Sequence, residues 1–332
     1  MVEGFWKKIL KNKGFLKREP FFCLAPMVDV TDEPFRLMIT KYGKPDVIWT
    51  EFVSADGLAS KEGRKKLLKN LEFSKKEKPI VAQIFGSHPE NIEKACKIIA
   101  DLGFDGVDIN MGCPDRKVEK QGAGASLIKN PKLAREIIKS AKKGAGKIPV
   151  SVKTRIGYNK IEYKEWFEEI LQEEISAITI HLRTRKEMSK ASAHWEIAKE
   201  ITDFVRTIDK EVVLMANGDV RSKKEGIKLV KESGFDGVMI GRGFFGNPWL
   251  LKRENDEVST SDKLKTLLEH TRLFERIMGK DSSNKRHKNF AVMKKHFKAY
   301  ANGFDGAKEL RNMLMKTNNF NEVKEIVDNW VK

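Results

Sequence analysis

Short apolar runs alternate with longer amphipathic segments along most of the chain. The runs are rich in β-branched residues, whereas the segments between them are rich in Lys and Glu and carry apolar residues at helical spacing. Alternation of this kind is typical of repeated βα units around a parallel sheet. We count eight runs, which begin at Phe22, Asp46, Pro79, Gly106, Pro149, Ala177, Val212 and Gly237.

Eight βα units that end by about residue 245 match a (β/α)8 TIM barrel, which typically has about 250 residues. The segment Gly103–Val107, with the sequence GFDGV, recurs as Gly234–Val238, and each copy predicts a helix end, a glycine turn and a strand start. An open doubly wound sheet permits the same alternation, but no glycine-rich dinucleotide fingerprint follows the first run. We therefore predict a closed α/β barrel over residues 1–250.

The β-branched runs stop after Pro248, and the pattern from Asp262 to Lys332 is helical. We predict a small all-α helical domain over residues 251–332. Its basic residues alternate with apolar positions, so one helix face can pack while another meets phosphate groups. These basic residues are Lys285, Arg286, Lys288, Lys294, Lys295, Lys298, Lys308, Arg311 and Lys316.

The chain carries 64 Lys and Arg against 47 Asp and Glu, a formal net charge of +17. Such a surplus suits a polyanion, because cationic side chains neutralise phosphates and release counterions. Nucleic acid is therefore the first partner to expect. A Lys-rich surface that serves only solubility is the alternative that charge alone leaves open.

Other features of the composition predict a cytoplasmic protein. Cys23, Cys96 and Cys113 are too widely spaced to indicate disulfides or a zinc site, and no pattern signals another metal or a protein partner. No run of about 18 apolar residues predicts a membrane helix, and the basic N-terminus lacks the apolar core of a secretion signal. Its apolar residues, Phe5, Trp6, Ile9 and Leu10, are expected to cap the bottom of the barrel.

Polar residues gather at the predicted C-terminal strand ends, where TIM barrels place their active sites. The residues at these ends are Met27, Glu51, Gln83, Asn110, Cys113, Lys153, Arg155, His181, Arg183, Asn217, Asp219, Gly241 and Arg242, of which all but Met27 and Gly241 carry a polar group. The turns at Asn217–Asp219 and Gly241–Pro248 follow strands seven and eight, where barrels commonly bind phosphate through backbone N–H groups. The sequence therefore predicts a phosphorylated cofactor or substrate.

Three side chains at these ends suggest particular chemistry. Lys153 can stabilise an anionic cofactor or act as a Schiff-base nucleophile, with a structural salt bridge as the alternative. His181 is expected to hydrogen-bond a carbonyl or phosphate of the cofactor rather than to act as a general base. Cys113 lies in a Gly/Pro turn and can donate a proton or act as a nucleophile, whereas Cys23 and Cys96 are expected in the core.

Several of these motifs together resemble the dihydrouridine synthase family. They are APMVDVTD (25–32), QIFG (83–86), NMGCP (110–114), QGAGASL (121–127), SVKTRIG (151–157), HLRTR (181–185), ANGDV (216–220) and the GRG turn (241–243). The resemblance is strong over residues 20–250, and residues 294–311 resemble the helical tRNA-binding domain of the family. Ala216 and Leu182 stand where Gly is common, which affects local backbone geometry but removes no chemical group.

The resemblance implies a flavin-dependent reductase of uridine in tRNA, with NADPH as the electron donor and Cys113 as the general acid. It further implies tRNA contacts by substrate-binding residues, for which we select Asn110, Arg155, Arg183, Lys294, Lys295 and Arg311. The implied FMN-binding residues are Pro26, Met27, Val28, Gln83, Lys153, His181, Asn217, Gly218, Asp219, Gly241 and Arg242.

Three alternatives remain at this point. A flavin barrel that oxidises dihydroorotate, or acts on a small molecule like an ene-reductase, would use the same cofactor site. A Schiff-base lyase would use Lys153. A tRNA-binding protein without turnover would keep the fold and the basic tail.

Overall fold

The structure is a computed structural model and describes residues 4–14, 17, 19–252, 258–279 and 287–331. Internal contacts divide the chain into two compact units, one of Met1–Met27 with Pro45–Gly241 and one of Val28–Lys44 with Arg242–Lys332. The expected functional division at residue 250 stays a prediction. Helix Glu33–Gly43, which lies early in the sequence, groups with the second unit.

The first unit is built on one parallel sheet that closes on itself. The sheet order runs β2-β1-β9-β8-β7-β6-β5-β4-β3, and an additional pairing of β2 with β4 closes the ring. The predicted barrel is therefore confirmed, and the open sheet is excluded. The strands are β1 (Phe21–Leu24), β2 (Val47–Trp49), β3 (Val53–Ser54), β4 (Ile80–Phe85), β5 (Gly106–Met111), β6 (Val150–Arg155), β7 (Ala177–His181), β8 (Val213–Asn217) and β9 (Gly237–Ile240).

The second strand of the barrel is split into β2 and β3, both of which pair with β4. Between the two pieces, the hydroxyl of Thr50 accepts the backbone N–H of Gln83 at 3.3 Å. A side chain thus takes a place that a backbone carbonyl would occupy in a regular ladder. The sequence had predicted one continuous run here.

Helices surround the barrel between successive strands. Their inward stripes are apolar, as on the helix Pro131–Ala145, where Ala134, Ile137, Ile138 and Ala141 are buried. The helices of this unit are α1 (Phe5–Asn12), α3 (Ala55–Ala59), α4 (Lys61–Leu67), α5 (Pro89–Asp101), α6 (Arg116–Glu119), α7 (Pro131–Ala145), α8 (Tyr163–Leu171), α9 (Ala198–Ile208) and α10 (Lys223–Ser233).

Helix α1 covers the N-terminal ends of the strands. Trp6 is 1% exposed and packs in one cluster with Phe21, Val47 and Val213, which are first residues of their strands. Its neighbours Phe5, Ile9 and Leu10 pack against the same cluster. The expectation that this apolar segment caps the barrel bottom is confirmed, and the opposite end is left for chemistry.

The two GFDG segments adopt the same turn and make equivalent hydrogen bonds. Gly103 and Gly234 both have φ of +82°, a left-handed conformation that glycine adopts without steric cost at a helix end. The carboxylates of Asp105 and Asp236 then each accept a backbone N–H from a neighbouring strand, Ile80 N and Leu214 N, both at 2.9 Å. The repeat therefore marks where the starts of adjacent strands are tied together.

The second unit is helical. Its core is formed by apolar residues at helical spacing, such as Leu264, Leu267 and Phe274 on the longest helix, which pack with Phe297 and Leu310. Its helices are α2 (Glu33–Gly43), α11 (Thr260–Met278), α12 (Met293–Tyr300), α13 (Ala307–Leu314) and α14 (Phe320–Val331). The predicted all-α tail is confirmed, with α2 as an addition. Within the described ranges, no helix is long and apolar enough to cross a membrane.

Candidate active site

Strand register brings the predicted side chains to one end of the barrel. Asn110 pairs with Lys153, Arg155 pairs with His181, and His181 pairs with Asn217. All five lie at or near the last residue of their strands. Because parallel strands end at the same edge, the C-terminal mouth of the barrel carries a continuous polar arc.

A chain of side-chain hydrogen bonds runs from the barrel interior to Cys113. Asp108 accepts a hydrogen bond from Gln83 Nε2 at 2.6 Å, and Gln83 Oε1 accepts one from Asn110 Nδ2 at 2.9 Å. Asn110 Oδ1 in turn accepts the backbone N–H groups of Gly112 at 3.1 Å and Cys113 at 2.9 Å. The turn that presents Cys113 is therefore fixed from inside the barrel.

Lys153 lies beside this chain and is half-buried. Its ammonium donates to Asn217 Oδ1 at 2.9 Å, and Asn217 Nδ2 donates to the carbonyl of Met239 at 2.8 Å. Burial lowers the pKa of Lys153 to about 8, and burial raises the pKa of Asp108 to about 6. At neutral pH both groups are charged, and the buried carboxylate of Asp108 favours the charged form of Lys153.

Arg155 ties two loops together. Its Nε donates to the carbonyl of Gly112 at 2.6 Å, and its Nη1 donates to the carbonyls of Thr184 at 3.0 Å and Met188 at 3.2 Å. Burial lowers its pKa to about 10, which leaves the guanidinium charged at neutral pH. The structure thus shows Arg155 bracing the backbone beside Cys113.

Arg183 is 2% exposed and is also engaged by the protein. Its Nε donates to the carbonyl of Ala191 at 2.7 Å, and its Nη2 contacts Asp219. Its Nη1 lies 3.2 Å from His181 Nε2. Since a guanidinium only donates, Nε2 of His181 is the acceptor in this contact.

The glycine turns of the site bring backbone close to side chains. Gly218 has φ of +144°, and a Cβ there would lie 2.6 Å from Ala193 Cβ. At Gly241, a Cβ would lie 3.1 Å from Met27 Sδ. A side chain at position 218 would therefore clash, whereas one at position 241 would require only a small shift of the Met27 side chain. Pro26 and Met27 are half-buried at the end of β1, whereas Val28 is 46% exposed; Val28 and Arg242 belong to the second unit.

Cys113 differs from the other two cysteines as expected. Cys23 and Cys96 are 0% exposed in the core, while Cys113 is partly accessible. Burial still raises the pKa of the Cys113 thiol, although Arg155 and Lys153 oppose the shift. The thiol is therefore protonated at neutral pH, the form that donates a proton.

The predicted tRNA contacts of the tail differ in exposure. Lys295 is exposed and Lys294 is half-buried, both on α12. Arg311 is half-buried, and its Nη1 donates to the carbonyl of Ala301 at 2.8 Å, which braces the turn between α12 and α13. Lys285 and Arg286 lie outside the described residues.

Sequence reasoning missed Asp108 and a group of loop residues, Glu119, Tyr158 and Arg185. Asp108 lies two positions before Asn110 in β5, so strand alternation places both on one face. That period was a usable signal. Arg185 lies in the HLRTR motif, but its partners Glu119 and Tyr158 gave no signal, because their contacts join segments far apart in sequence.

Comparison with known proteins identifies the family. The family model "Dihydrouridine synthase (Dus)" matches residues 23–332. A protein from Bacillus subtilis (strain 168), "Probable tRNA-dihydrouridine synthase 2", is 41% identical over 99% of this chain and 97% of its own length. "Probable tRNA-dihydrouridine synthase" of Staphylococcus aureus (strain COL) is 40% identical over 99% of this chain and 96% of its own length.

Solved structures agree on the fold. A 2-naphthoyl-CoA reductase complex matches 70% of this chain and 49% of its own, with a TM-score of 0.53 and 13% identity. A histamine dehydrogenase from Rhizobium sp. 4-9 matches 76% of this chain and 48% of its own, with a TM-score of 0.51 and 11% identity. At such identities the likeness concerns the fold alone.

The chain belongs to the dihydrouridine synthase family. This membership confirms the resemblance drawn from the motifs, and with it the class of enzyme, a flavin-dependent oxidoreductase.

Proposed function

We propose that this enzyme reduces the C5=C6 bond of uridine in tRNA to 5,6-dihydrouridine, with bound FMN, NADPH as the electron donor and Cys113 as the proton donor. Family membership and relatives named as tRNA-dihydrouridine synthases over nearly the whole chain support the reaction. The observation that carries the role of Cys113 is its partly accessible, protonated thiol at the barrel mouth.

The mouth of the barrel suits FMN by charge. Lys153 supplies a half-buried cation at the end of β6, where it can stabilise negative charge on a cofactor. When bound, FMN would supply the hydride that adds at C6 of uracil. We assign binding of FMN to Pro26, Met27, Val28, Gln83, Lys153, His181, Asn217, Gly218, Asp219, Gly241 and Arg242.

Cys113 would complete the addition. Reduction of the C5=C6 bond needs one hydride at C6 and one proton at C5, because the carbonyl conjugated to the double bond takes up the charge as an enolate. A thiol with a raised pKa holds this proton at neutral pH, and solvent restores it after transfer. Asn110 sets the turn, so the proton is held at a defined place.

The reacting uridine must leave its stack to reach a barrel mouth, which favours recognition of a tRNA loop by a basic surface. The net charge of +17 suits phosphate contacts. Among the proposed substrate-binding residues, Asn110, Arg155 and Arg183 make the protein contacts described above, so their groups are already held in place. Lys294 and Lys295 remain the simplest phosphate contacts in the tail.

The test is dihydrouridine formation by Cys113→Ala. We expect the variant to bind FMN as the wild type does and to lose about 10²–10⁴-fold in turnover, the factor that a general acid contributes. Dihydrouridine in unmodified tRNA is quantified by mass spectrometry with NADPH present, and Cys96→Ala on α5 is the matched control. Wild-type turnover in Cys113→Ala would contradict the role of the thiol. Flavin without dihydrouridine in the wild type would favour a small-molecule substrate.

A further inference from the structure

The loops after β6 and β7 form one fixed rim at the barrel mouth. The backbone N–H of Arg185 donates to the carbonyl of Gly157 at 2.9 Å, and that of Lys186 donates to the carbonyl of Tyr158 at 2.9 Å. Buried Arg155 adds its bonds to Thr184 and Met188. Backbone hydrogen bonds therefore hold these two loops to each other.

The cysteine loop, residues 112–130 after β5, folds back on itself around Cys113. The carbonyl of Cys113 accepts the backbone N–H of Ala125 at 3.0 Å. Gly124 has φ of +63°, and a Cβ there would lie 2.7 Å from the same carbonyl. Helix α6 lies between Cys113 and Ala125 in the chain, so the segment that carries α6 begins and ends at this hydrogen bond beside Cys113.

Side chains join the cysteine loop to the rim. Arg185 Nε lies 2.9 and 3.0 Å from the two carboxylate oxygens of Glu119, at the end of α6, and its Nη2 also contacts this carboxylate. The ring of Tyr158 lies beside two cations, with Lys129 Nζ 4.4 Å and Arg185 Cζ 5.2 Å from its centroid. We call Glu119, Lys129, Tyr158 and Arg185 the loop clamp.

The ion pair in this clamp differs from an ordinary surface pair. The side chains of Arg185 and Glu119 are 25% and 10% exposed, and the contact uses two guanidinium nitrogens. Fork-shaped geometry and partial shielding are the conditions under which an ion pair contributes measurably, whereas a fully solvated pair contributes little. The pair lies at the far part of the cysteine loop, while Arg155 holds only its root at Gly112.

We propose that Glu119 and Arg185 are positioning residues that hold the cysteine loop against the rim and thereby keep Cys113 in its reacting position. The inference rests on the proposed role of Cys113 as the proton donor. Closure of the cysteine loop does not depend on turnover, and it can be measured through the alkylation rate of the Cys113 thiol.

The experiment measures alkylation of Cys113 by iodoacetamide across a range of pH, in the flavin-loaded enzyme, by peptide mass spectrometry. Cys23 and Cys96 are buried, so the label reports Cys113. The pH profile separates the thiol pKa from the limiting rate. We expect Glu119→Gln and Arg185→Gln to raise the limiting rate by roughly tenfold, the factor that corresponds to about 1.4 kcal/mol of lost closing free energy.

The double variant and a control decide the interpretation. If the two residues act as one pair, Glu119→Gln with Arg185→Gln reacts no faster than either single variant. Glu173→Gln breaks the 2.7 Å pair with Arg135 on α7 and leaves the label rate unchanged. In the Glu119→Gln and Arg185→Gln variants, we expect kcat for tRNA reduction to fall while the rate of flavin reduction by NADPH stays unchanged. Unchanged alkylation in both single variants, or an equal rise in Glu173→Gln, overturns the clamp, whereas loss of the proton-donor role would show only in Cys113→Ala.

Discussion

Asp108 determines how the amides between it and Cys113 are oriented. An ionised carboxylate only accepts, so Gln83 must turn its NH₂ toward Asp108 and its carbonyl toward Asn110. Asn110 then turns its NH₂ toward Gln83 and its carbonyl toward the backbone N–H groups of Gly112 and Cys113. The Asp108 carboxylate at one end of this chain and the two backbone N–H groups at the other therefore favour the same orientation of the Gln83 and Asn110 amides. One buried charge thereby sets the turn of the proposed proton donor.

Replacement of Gln83 by Leu should therefore destabilise the barrel in a pH-dependent way. At pH 7.5 the ionised and fully buried Asp108 loses a hydrogen-bond donor, and we expect a loss of about 2 kcal/mol in the free energy of unfolding. The folded pKa of Asp108, about 6, lies above its unfolded value, so the native state takes up the proton first as pH falls. The loss should shrink toward pH 5, where the carboxyl is neutral.

Urea unfolding of the flavin-free proteins at both pH values measures this difference, since bound FMN would itself add stability. Gln121→Leu is the control, because Gln121 is exposed and its side chain donates only to the carbonyl of Lys117 among the described bonds. An equal loss at both pH values would show that the charge of Asp108 plays no part.

Helices α11 and α12 bury two neutral histidines against each other. The rings of His270 and His296 lie 4.6 Å apart, and Phe35 on α2 packs against both. Tyr300 Oη lies 3.4 Å from His270 Nδ1. Burial lowers the pKa of His270 to about 3 and that of His296 well below its usual value, with nearby Lys295 and Lys288 acting in the same direction. In the folded helical unit these two histidines therefore stay neutral at pH values at which they would be protonated in the unfolded chain.

The helical unit should lose stability as pH falls below about 6.5. The unfolded state binds protons there and the folded state does not, so the loss approaches about 1.4 kcal/mol per pH unit for each histidine. Hydrogen exchange of peptides from α11 and α12, corrected for intrinsic rates, measures it between pH 7 and 5. We expect His296→Phe to halve the dependence and His287→Gln, at an exposed position, to preserve it. A flat profile in the wild type would contradict the assignment.

The elements differ in how far the sequence predicted them. Strand runs were recognisable because barrel strands are buried on both faces and read as continuous apolar segments. The break between β2 and β3 could not be recognised from the sequence, because it depends on a hydrogen bond between the hydroxyl of Thr50 and the backbone of Gln83, which lies on another strand. Glu119 and Arg185 are equally remote in sequence. Single residues at strand ends were predictable since the barrel fixes where they converge, whereas contacts between loops depend on the folded chain.

The whole molecule carries its positive charge in both units, so net charge alone does not locate the RNA. The type of a basic residue does not show either whether its side chain is available to bind RNA. Arg311 resembles a phosphate contact in the sequence, but its guanidinium holds the carbonyl of Ala301 in the structure. Its replacement would disturb the turn between α12 and α13 and confuse a binding measurement. A charge-reversal test of the tail should therefore use lysines of α12.

We expect Lys294→Glu with Lys295→Glu to weaken tRNA binding and to flatten its salt dependence. Each lost phosphate contact removes about 0.7–0.9 from the slope of log K against log salt, so the slope should fall by up to about 2. Lys223→Glu with Lys224→Glu, on exposed positions of α10, changes the net charge by the same amount and is the matched control. Binding is measured by filter retention or anisotropy from low to physiological salt. If both double variants flatten the slope equally, tRNA responds to total charge and α12 has no special part. If only the α10 variant does so, the phosphates meet the barrel unit at α10.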